Sequence, residues 1–169
     1  MARARLEDPL MVVKGIFHPV VSVADMATSV RYYRDALGLK VSFDDYHDPA
    51  AISQLFGLSE PRVRSVVVSC PDGSEIELVE YERPRGRTRV EREPQDAGLL
   101  AINLRVDGME DLRAAIQAAG FGFGSPIVEQ TLPDGGVIKV LVSEAPDGVT
   151  IILVELPADR GSLASPGAA

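Results

Sequence analysis

The chain has 169 residues, of which 46% are hydrophobic and 25% are charged. This composition is that of an ordinary globular protein, and it excludes collagen-like and wholly disordered chains. The 25 acidic residues outnumber the 17 lysines and arginines, which gives a formal net charge of −8. Such a chain repels nucleic acid and anionic membrane surfaces on average. No apolar stretch approaches the roughly 20 residues that a membrane-spanning helix needs.

Cysteine and histidine are scarce, which limits the chemistry. The single Cys70 excludes an intrachain disulfide, and no basic start followed by an apolar run marks a secretory signal, so the cytoplasm is the expected location. The only histidines, His18 and His47, exclude a three-histidine metal site within one chain. The motifs G-x-S-x-G, H-E-x-x-H, C-x-x-C and G-x-x-x-x-G-K-[ST] are absent from the sequence, which argues against serine hydrolases, zinc proteases and P-loop proteins.

An internal repeat organises the chain. The segment PDGSEIELVE at 71–80 returns as PDGVTIILVE at 146–155, 75 positions later. The segment HPVVSVADM at 18–26 returns as AINLRVDGM at 101–109, 83 positions later. The first pair is a turn that leads into a strand, and the second is a strand that leads into an amphipathic helix. The repeat therefore indicates a duplicated structural unit.

Hydrophobic periodicity and turn signals give each unit the order β-α-β-β-β. In the first unit, Asp25 is placed to cap the helix and Gly38 to end it, and Val30, Tyr33 and Leu37 fall at helical spacing. The predicted elements of this unit are strands at 16–23, 39–46, 63–70 and 75–81, a helix at 25–37, and a short helix or loop at 49–57. Those of the second unit are strands at 99–106, 124–128, 137–144 and 150–156, and a helix at 109–119.

Domain boundaries follow from this order. We expect a first module at 14–82, a linker at 83–97, a second module at 98–157 and a flexible tail at 158–169. Arginines in the linker are interleaved with Glu91 and Glu93, and the linker contains no aromatic residue for base stacking. We therefore interpret it as a solvated connector and not as a nucleic-acid site.

Three motifs carry a resemblance to a known family: a strand that begins at a histidine and runs into V-x-D, a helix with Y-Y-R-D-x-L-G-L, and the turn and strand D-G-x-x-I-E-L-V-E. Together they resemble the vicinal oxygen chelate superfamily, whose members include glyoxalase I, methylmalonyl-CoA epimerase, extradiol dioxygenases and bleomycin-resistance proteins. The resemblance covers about residues 15–156. It implies an α+β fold of two tandem βαβββ modules that form a curved sheet around a cleft, with a small-molecule ligand. Such modules pair within one chain or exchange between two, so a symmetric homodimer is expected.

The resemblance also implies where metal ligands would lie. In the glyoxalase and epimerase members, each unit supplies one ligand at the start of its first strand and one in the strand after the D-G turn. These positions correspond to His18 and Glu77 in the first unit, and to Ala101 and Ile152 in the second. Neither Ala101 nor Ile152 can bind a metal, so we expect no cofactor, or else a divalent metal at a reduced His18/Glu77 site.

Strand alternation predicts which other side chains share the cleft. Pairing Cys70 with Glu75 across the first hairpin sets Val68 opposite Glu77, and the same rule is applied to the second hairpin. The predicted substrate-binding residues are Arg64, Tyr81, Asn103, Lys139, Val68, Leu141 and Ile152, with Val20, Val66 and Val154 as further apolar walls. Such a pocket suits a small organic molecule, and its two cationic groups favour one with a carboxylate, enolate or phosphate.

Each candidate also has a structural interpretation. His18 is either a ligand or general base, or a strand histidine satisfied by hydrogen bonds. Glu77 lies on a predicted central strand, where an unpaired charge is costly, so it is either a proton-transfer group or the partner of Arg64 in a salt bridge. Arg64 and Lys139 are either ligand-binding groups or edge charges that prevent aggregation. The run Asp44, Asp45, His47 and Asp48 is interpreted as a solvated loop.

Three hypotheses for function follow. The first is an isomerase, epimerase or lyase in which catalytic Glu77, with or without His18, moves a proton beside a carbonyl while Arg64 or Lys139 stabilises the enolate. The second is a binding protein that sequesters an apolar small molecule, as bleomycin-resistance members of the superfamily do. The third is a metal enzyme with a reduced His18/Glu77 site that Asn103, water and substrate complete. The first is favoured narrowly over the second.

Overall fold

The computed structural model describes residues 15–87, 95–99, 101–158 and 160–161, and these residues form two four-stranded sheets and three helices. The first unit contains β1 (Val20–Val23), α1 (Met26–Val30), β2 (Lys40–Tyr46), α2 (Pro49–Phe56), β3 (Arg62–Ser69) and β4 (Glu75–Arg83). The second unit contains β5 (Ala101–Val106), α3 (Met109–Ala118), β6 (Val128–Thr131), β7 (Val137–Glu144) and β8 (Thr150–Glu155). The predicted α+β fold of two βαβββ units is confirmed.

The two sheets have the same topology. Their strand orders are β1-β4-β3-β2 and β5-β8-β7-β6, and in each sheet the first strand of the unit runs parallel to the last. The register repeats as well, because Val20 pairs with Glu77 in one sheet and Asn103 pairs with Ile152 in the other. These two pairs are related by the spacings of 83 and 75 positions seen in the sequence, so each residue of the repeat has a structural counterpart.

Helix α1 begins where the sequence predicts. The Asp25 side chain accepts hydrogen bonds from the amides of Ala27 (3.0 Å) and Thr28 (3.4 Å) and from the Thr28 hydroxyl (2.9 Å). The Thr28 hydroxyl, followed by the Thr28 amide, holds the pKa of the Asp25 carboxyl below its usual range. After Val30 the helix continues as a π-helical segment, Arg31–Ala36.

One hydrophobic core extends across both units. Tyr32 and Tyr33 from the first unit are fully buried together with residues of the second unit, and Tyr32 contacts the ring of Phe121 edge to face at 5.0 Å. The Tyr32 hydroxyl donates to Oγ of Ser143 at 2.7 Å. Burial raises the pKa of Tyr32 to about 12, since the phenolate would lose its hydration there.

Polar contacts add to this core at the turn of the second hairpin. The Asp147 carboxylate accepts a hydrogen bond from the Ala24 amide at 2.7 Å and another from the Ser29 hydroxyl at 2.5 Å. Both donors lie at the beginning of α1. The second hairpin is thereby attached to the first unit.

Some boundaries differ from those predicted. The short strand expected at 124–128 begins later and corresponds to β6, Val128–Thr131. Pro126 has no amide hydrogen to donate to a neighbouring strand. Before Pro126, the described chain forms an isolated bridge between Phe123 and Ser143. The first strand begins at Val20 instead of residue 16. Much of the predicted linker and most of the predicted tail lie outside the described residues. Among the described helices, none is long and apolar enough to cross a membrane.

Candidate active site

The register of the first hairpin determines which side chains accompany Glu77. Glu77 pairs with Val67 on β3 and with Val20 on β1, and paired residues lie on the same face of a sheet. We call this side of the first sheet the cleft face. It carries Val20, Val63, Ser65, Val67, Glu77, Val79 and Tyr81.

The predicted pairing of Val68 with Glu77 is wrong by one residue. The Cys70 amide bonds to the Ser74 carbonyl at 2.8 Å, so the loop contains three residues and Cys70 pairs with Ser74, not with Glu75. The second hairpin behaves in the same way, since the Ala145 amide bonds to the Val149 carbonyl at 3.0 Å. A shift of one residue moves every side chain of a strand to the other face of the sheet.

This shift removes five predicted residues from the cleft, and one of them is the predicted apolar wall Val66, which pairs with Leu78 on the opposite face and is fully buried. Arg64, Val68, Lys139 and Leu141 lie on the opposite face, where Val68 and Leu141 are fully buried in the shared core. Arg64 does not pair with Glu77. Its guanidinium binds both carboxylate oxygens of Asp44, at 2.9 and 2.8 Å, and this hydrogen bonding lowers the pKa of the Asp44 carboxyl. Neither predicted cation therefore faces a ligand bound at Glu77.

Glu77 is the centre of a polar cluster on the cleft face. Its Oε1 accepts a hydrogen bond from the Ser65 hydroxyl at 2.6 Å and lies 3.0 Å from Nε2 of His47, while its Oε2 lies 3.2 Å from Nε2 of His18. The Glu77 side chain is only 12% exposed. An ionised carboxylate can only accept hydrogen bonds, so both imidazoles donate from Nε2 when Glu77 is charged. Each neutral imidazole then keeps a lone pair on Nδ1.

His47 is the residue that the sequence interpretation missed. The predicted solvated loop is wrong for it, because the His47 amide bonds to the Val63 carbonyl at 2.9 Å and extends the ladder between β2 and β3 by one residue. Alternation along this strand then sets Asp45 and His47 on the cleft face. Continuing the predicted strand by a single residue would have revealed the position. Asp48, in contrast, caps α2 through the Ala50 amide at 3.0 Å.

His18 and His47 differ in access to solvent. The His18 side chain is 13% exposed and packs on the Phe17 ring at a centroid distance of 4.3 Å, and its buried Nδ1 has no hydrogen-bond partner among the residues that the structure describes. The His47 side chain is 36% exposed. Glu77 therefore contacts one partly buried imidazole, that of His18, and one more accessible imidazole, that of His47.

No hydrogen bond in the described part of the chain joins the remaining predicted residues, Tyr81, Asn103 and Ile152, to the cluster, and Asn103 and Ile152 lie in the second sheet. Tyr81 packs with Ile52 of α2 against Val63 and Val79 on the cleft face. Asn103 and Ile152 are paired in the second sheet at the positions equivalent to Val20 and Glu77. The second unit thus has no acidic or imidazole group at these positions.

Comparisons with known proteins agree with this fold. Residues 15–153 match the model of the family described as Glyoxalase/Bleomycin resistance protein/Dioxygenase superfamily. A glyoxalase family protein from Bacillus cereus is 16% identical with a TM-score of 0.74, and the match covers 92% of this chain and 99% of that one. A glyoxylase/bleomycin resistance protein/dioxygenase domain from Frankia sp. EAN1pec is 23% identical with a TM-score of 0.60, over 86% and 99% of the two chains. No curated protein matches this chain in sequence.

The four-ligand metal site that the resemblance implies does not fit these residues. Ala101 and Ile152 offer no donor atom, and both oxygens of Glu77 already bond to separate imidazoles. Of the four implied positions, only those of His18 and Glu77 carry metal-binding side chains, and His47 lies beside them.

Proposed function

Because the chain belongs to the Glyoxalase/Bleomycin resistance protein/Dioxygenase superfamily, we propose that it is a small-molecule enzyme that transfers a proton through an imidazole held by Glu77. The observation that carries the proposal is the position of Glu77 between His18 and His47, with one carboxylate oxygen on each Nε2. A carboxylate in this position fixes the tautomer of an imidazole and stabilises the imidazolium that forms during catalysis.

His47 is the acting base in this proposal. Its Nδ1 takes a proton from a carbon beside the substrate carbonyl, and the electron pair of the C–H bond moves into an enolate. Return of the proton to another atom, or to the other face of the same carbon, gives an isomerase or epimerase, and expulsion of a neighbouring group gives a lyase. Glu77, which the sequence interpretation treated as the base, acts here by orienting His47 and His18.

Exchange of carbon-bound hydrogen with solvent tests the proposal without a known substrate. The protein in D₂O is mixed with a panel of 2-oxo acids, hydroxy ketones and short acyl thioesters, and loss of the α-proton signal is followed by NMR. We expect catalysed exchange with at least one class, and a fall of about two to four orders of magnitude for Glu77→Gln and for His47→Gln. Glu80→Gln is the matched control, because Glu80 pairs with Arg64 on the opposite face of the same strand. Equal exchange in all four proteins would contradict the proposal.

Sequestration of an apolar molecule is the second candidate. It is favoured by exposed apolar side chains on the cleft face, since Val20 is 56% and Phe43 is 48% exposed, and by the absence of an acidic group at Ile152. Saturable binding of panel compounds with no exchange of any α-proton would support this function and exclude the first.

We also propose that the protein acts as a homodimer in the cytoplasm. Ile16 and Phe17 are 92% and 85% exposed immediately before His18, so a second copy that covers them would lie beside the cluster. Light scattering is expected to give twice the 18.1 kDa chain mass at micromolar concentration, and a single 18.1 kDa species would contradict the dimer.

A further inference from the structure

The two D-G turns of the repeat differ in what they contact. Asp147 of the second turn reaches the beginning of α1 through Ala24 and Ser29. Among the described residues, its counterpart Asp72 forms hydrogen bonds only within its own turn, to the amide and the hydroxyl of Ser74 at 3.0 and 2.6 Å. The duplicated contact is therefore made once in the described structure.

Three residues explain the difference. The counterpart of Ser74 in the second turn is Val149, which has no hydroxyl, so Asp147 is free to bond elsewhere. At the beginning of α3, the counterparts of Ala24 and Ser29 are Asp107 and Leu112. Leu112 cannot donate a hydrogen bond, and Asp107 repels a second carboxylate. The Asp72 turn accordingly does not dock on α3.

A cavity of about 800 Å³ lies at this undocked position. Its walls include Asp72 and the three residues of this side at which the two halves differ, which are Ser74, Asp107 and Leu112. None of the four residues of the Glu77 cluster lines it. A volume of this size is typical of pockets that hold small organic molecules.

We propose that this cavity is a second binding site, separate from the Glu77 cluster, for a small organic amine with an apolar body. Leu37, Leu39, Leu112 and Leu153 supply apolar walls. The carboxylate of Asp107 faces the ammonium group and Asp72 adds a second negative charge, in keeping with the preference of ligand pockets for an apolar lining with a few charged groups.

The charges around the cavity favour a cation over an anion. Asp72 and Asp107 outnumber Arg105, whose guanidinium donates to the Gly161 carbonyl at 2.9 Å. Hydrogen bonding by the Ser74 hydroxyl, with a further contribution from the charge of Arg105, lowers the pKa of the Asp72 carboxyl, so Asp72 is ionised at neutral pH. Because Arg105 already acts on Asp72, Asp107 is the carboxylate left for a ligand cation.

The beginning of α3, which would otherwise attract an anion, already has acidic partners. The Met109 amide donates to Oε2 of Glu155 at 2.8 Å, and Glu110 and Asp111 lie in the first turn of the helix. An anionic ligand would therefore be repelled at this end of the cavity.

Three indole compounds with one apolar ring and different charges test the site. Tryptamine carries an ammonium, indole is neutral and indole-3-acetate carries a carboxylate. Titrations of ¹⁵N-labelled protein are expected to show saturable amide shifts with tryptamine at Leu104–Asp107, weaker shifts with indole and none with indole-3-acetate. Shifts confined to Ser65, Val67 and Glu77 would place the compound at the other cluster and overturn the proposal.

Variants make the test specific. Asp107→Asn removes one charge at nearly constant shape and is expected to raise the Kd of tryptamine about fivefold. Leu112→Phe fills the cavity and is expected to weaken all binding there, and circular dichroism verifies that each variant is folded. Asp45→Asn removes an exposed charge on the other sheet and serves as the control. An unchanged Kd for Asp107→Asn, or indole-3-acetate binding as tightly as tryptamine, would overturn the proposal.

Discussion

The Oε1 atom of Glu77 lies 3.0 Å from Nε2 of His47, and this contact joins the end of β2 to the middle of the first sheet. Because an ionised carboxylate accepts hydrogen bonds only, neutral His47 and neutral His18 are both expected in the Nε2–H tautomer. Long-range ¹H–¹⁵N NMR of the imidazoles reads the tautomer directly. Glu77→Gln is expected to remove the preference for the Nε2–H tautomer in at least one of the two imidazoles. Nδ1–H tautomers in the parent protein would contradict hydrogen bonding of both Nε2 atoms to Glu77.

Glu77→Gln is expected to leave the fold largely intact. Arg64 keeps its partner Asp44 in this variant, so no buried cation is left unpaired, and the free energy of unfolding should change by about 1 to 2 kcal/mol at most. Urea denaturation measures the change, with Ile152→Val as a packing control on the equivalent strand. A loss of roughly 3 to 5 kcal/mol would show that the carboxylate is a structural ion partner.

Purified protein is expected to carry no stoichiometric, tightly bound transition metal. Two of the four ligand positions implied by the family resemblance are Ala101 and Ile152, so a metal would be left with His18, Glu77 and the adjacent His47, and both imidazoles already bond to the Glu77 carboxylate. Elemental analysis after dialysis checks this expectation. One metal per chain, with loss of the catalysed exchange on chelation, would support the reduced metal site instead.

Asp147→Asn is expected to destabilise the protein more than Asp72→Asn. The Asp147 carboxylate accepts two hydrogen bonds from the other unit, whereas Asp72 stabilises only its own exposed turn. Hydrogen bonds to a charged group contribute about 1.5 to 3 kcal/mol, so a difference of about 1 to 3 kcal/mol in unfolding free energy is expected. Equal effects of the two substitutions would contradict the role of Asp147 in joining the units.

Alkaline pH is expected to destabilise the fold through its buried tyrosines. In an unfolded chain a phenol ionises near pH 10, whereas burial raises the pKa of Tyr32 to about 12 and raises that of Tyr33 further. The unfolded state therefore loses these protons first, and the free energy of unfolding falls as pH rises above about 10. Urea denaturation between pH 9 and pH 11.5 measures the fall, which should be smaller in Tyr32→Phe.

The fold could be predicted from the sequence because the repeat defines two equivalent structural units. Equivalent positions at spacings of 75 and 83 predicted that Ala101 and Ile152 correspond to His18 and Glu77, and the strand pairs Val20–Glu77 and Asn103–Ile152 confirm that correspondence. The two units share these hydrophobic patterns because each unit must bury the same faces of its strands and helix.

The lining of the cleft depended on details that residue types do not determine. The loop after Cys70 is one residue shorter than the predicted pairing of Cys70 with Glu75 requires, and this difference sets Arg64 and Val68 on the opposite face of the sheet. A D-G turn is compatible with more than one loop length, so the sequence did not determine it. His47 joins Glu77 only through the tertiary pairing of β2 with β3, and the acidic residues around it are equally typical of a solvated loop.

The shared core has a consequence for how the chain reaches its native state. Tyr32 is buried beneath Phe121 and Ser143, which the ribosome makes long after the first unit has emerged. Until then the first unit would expose two tyrosines to chaperones, so folding of the duplicated chain is expected to be a single cooperative event. Separately produced halves should accordingly be poorly folded alone and gain structure when mixed, in the manner of fragment complementation.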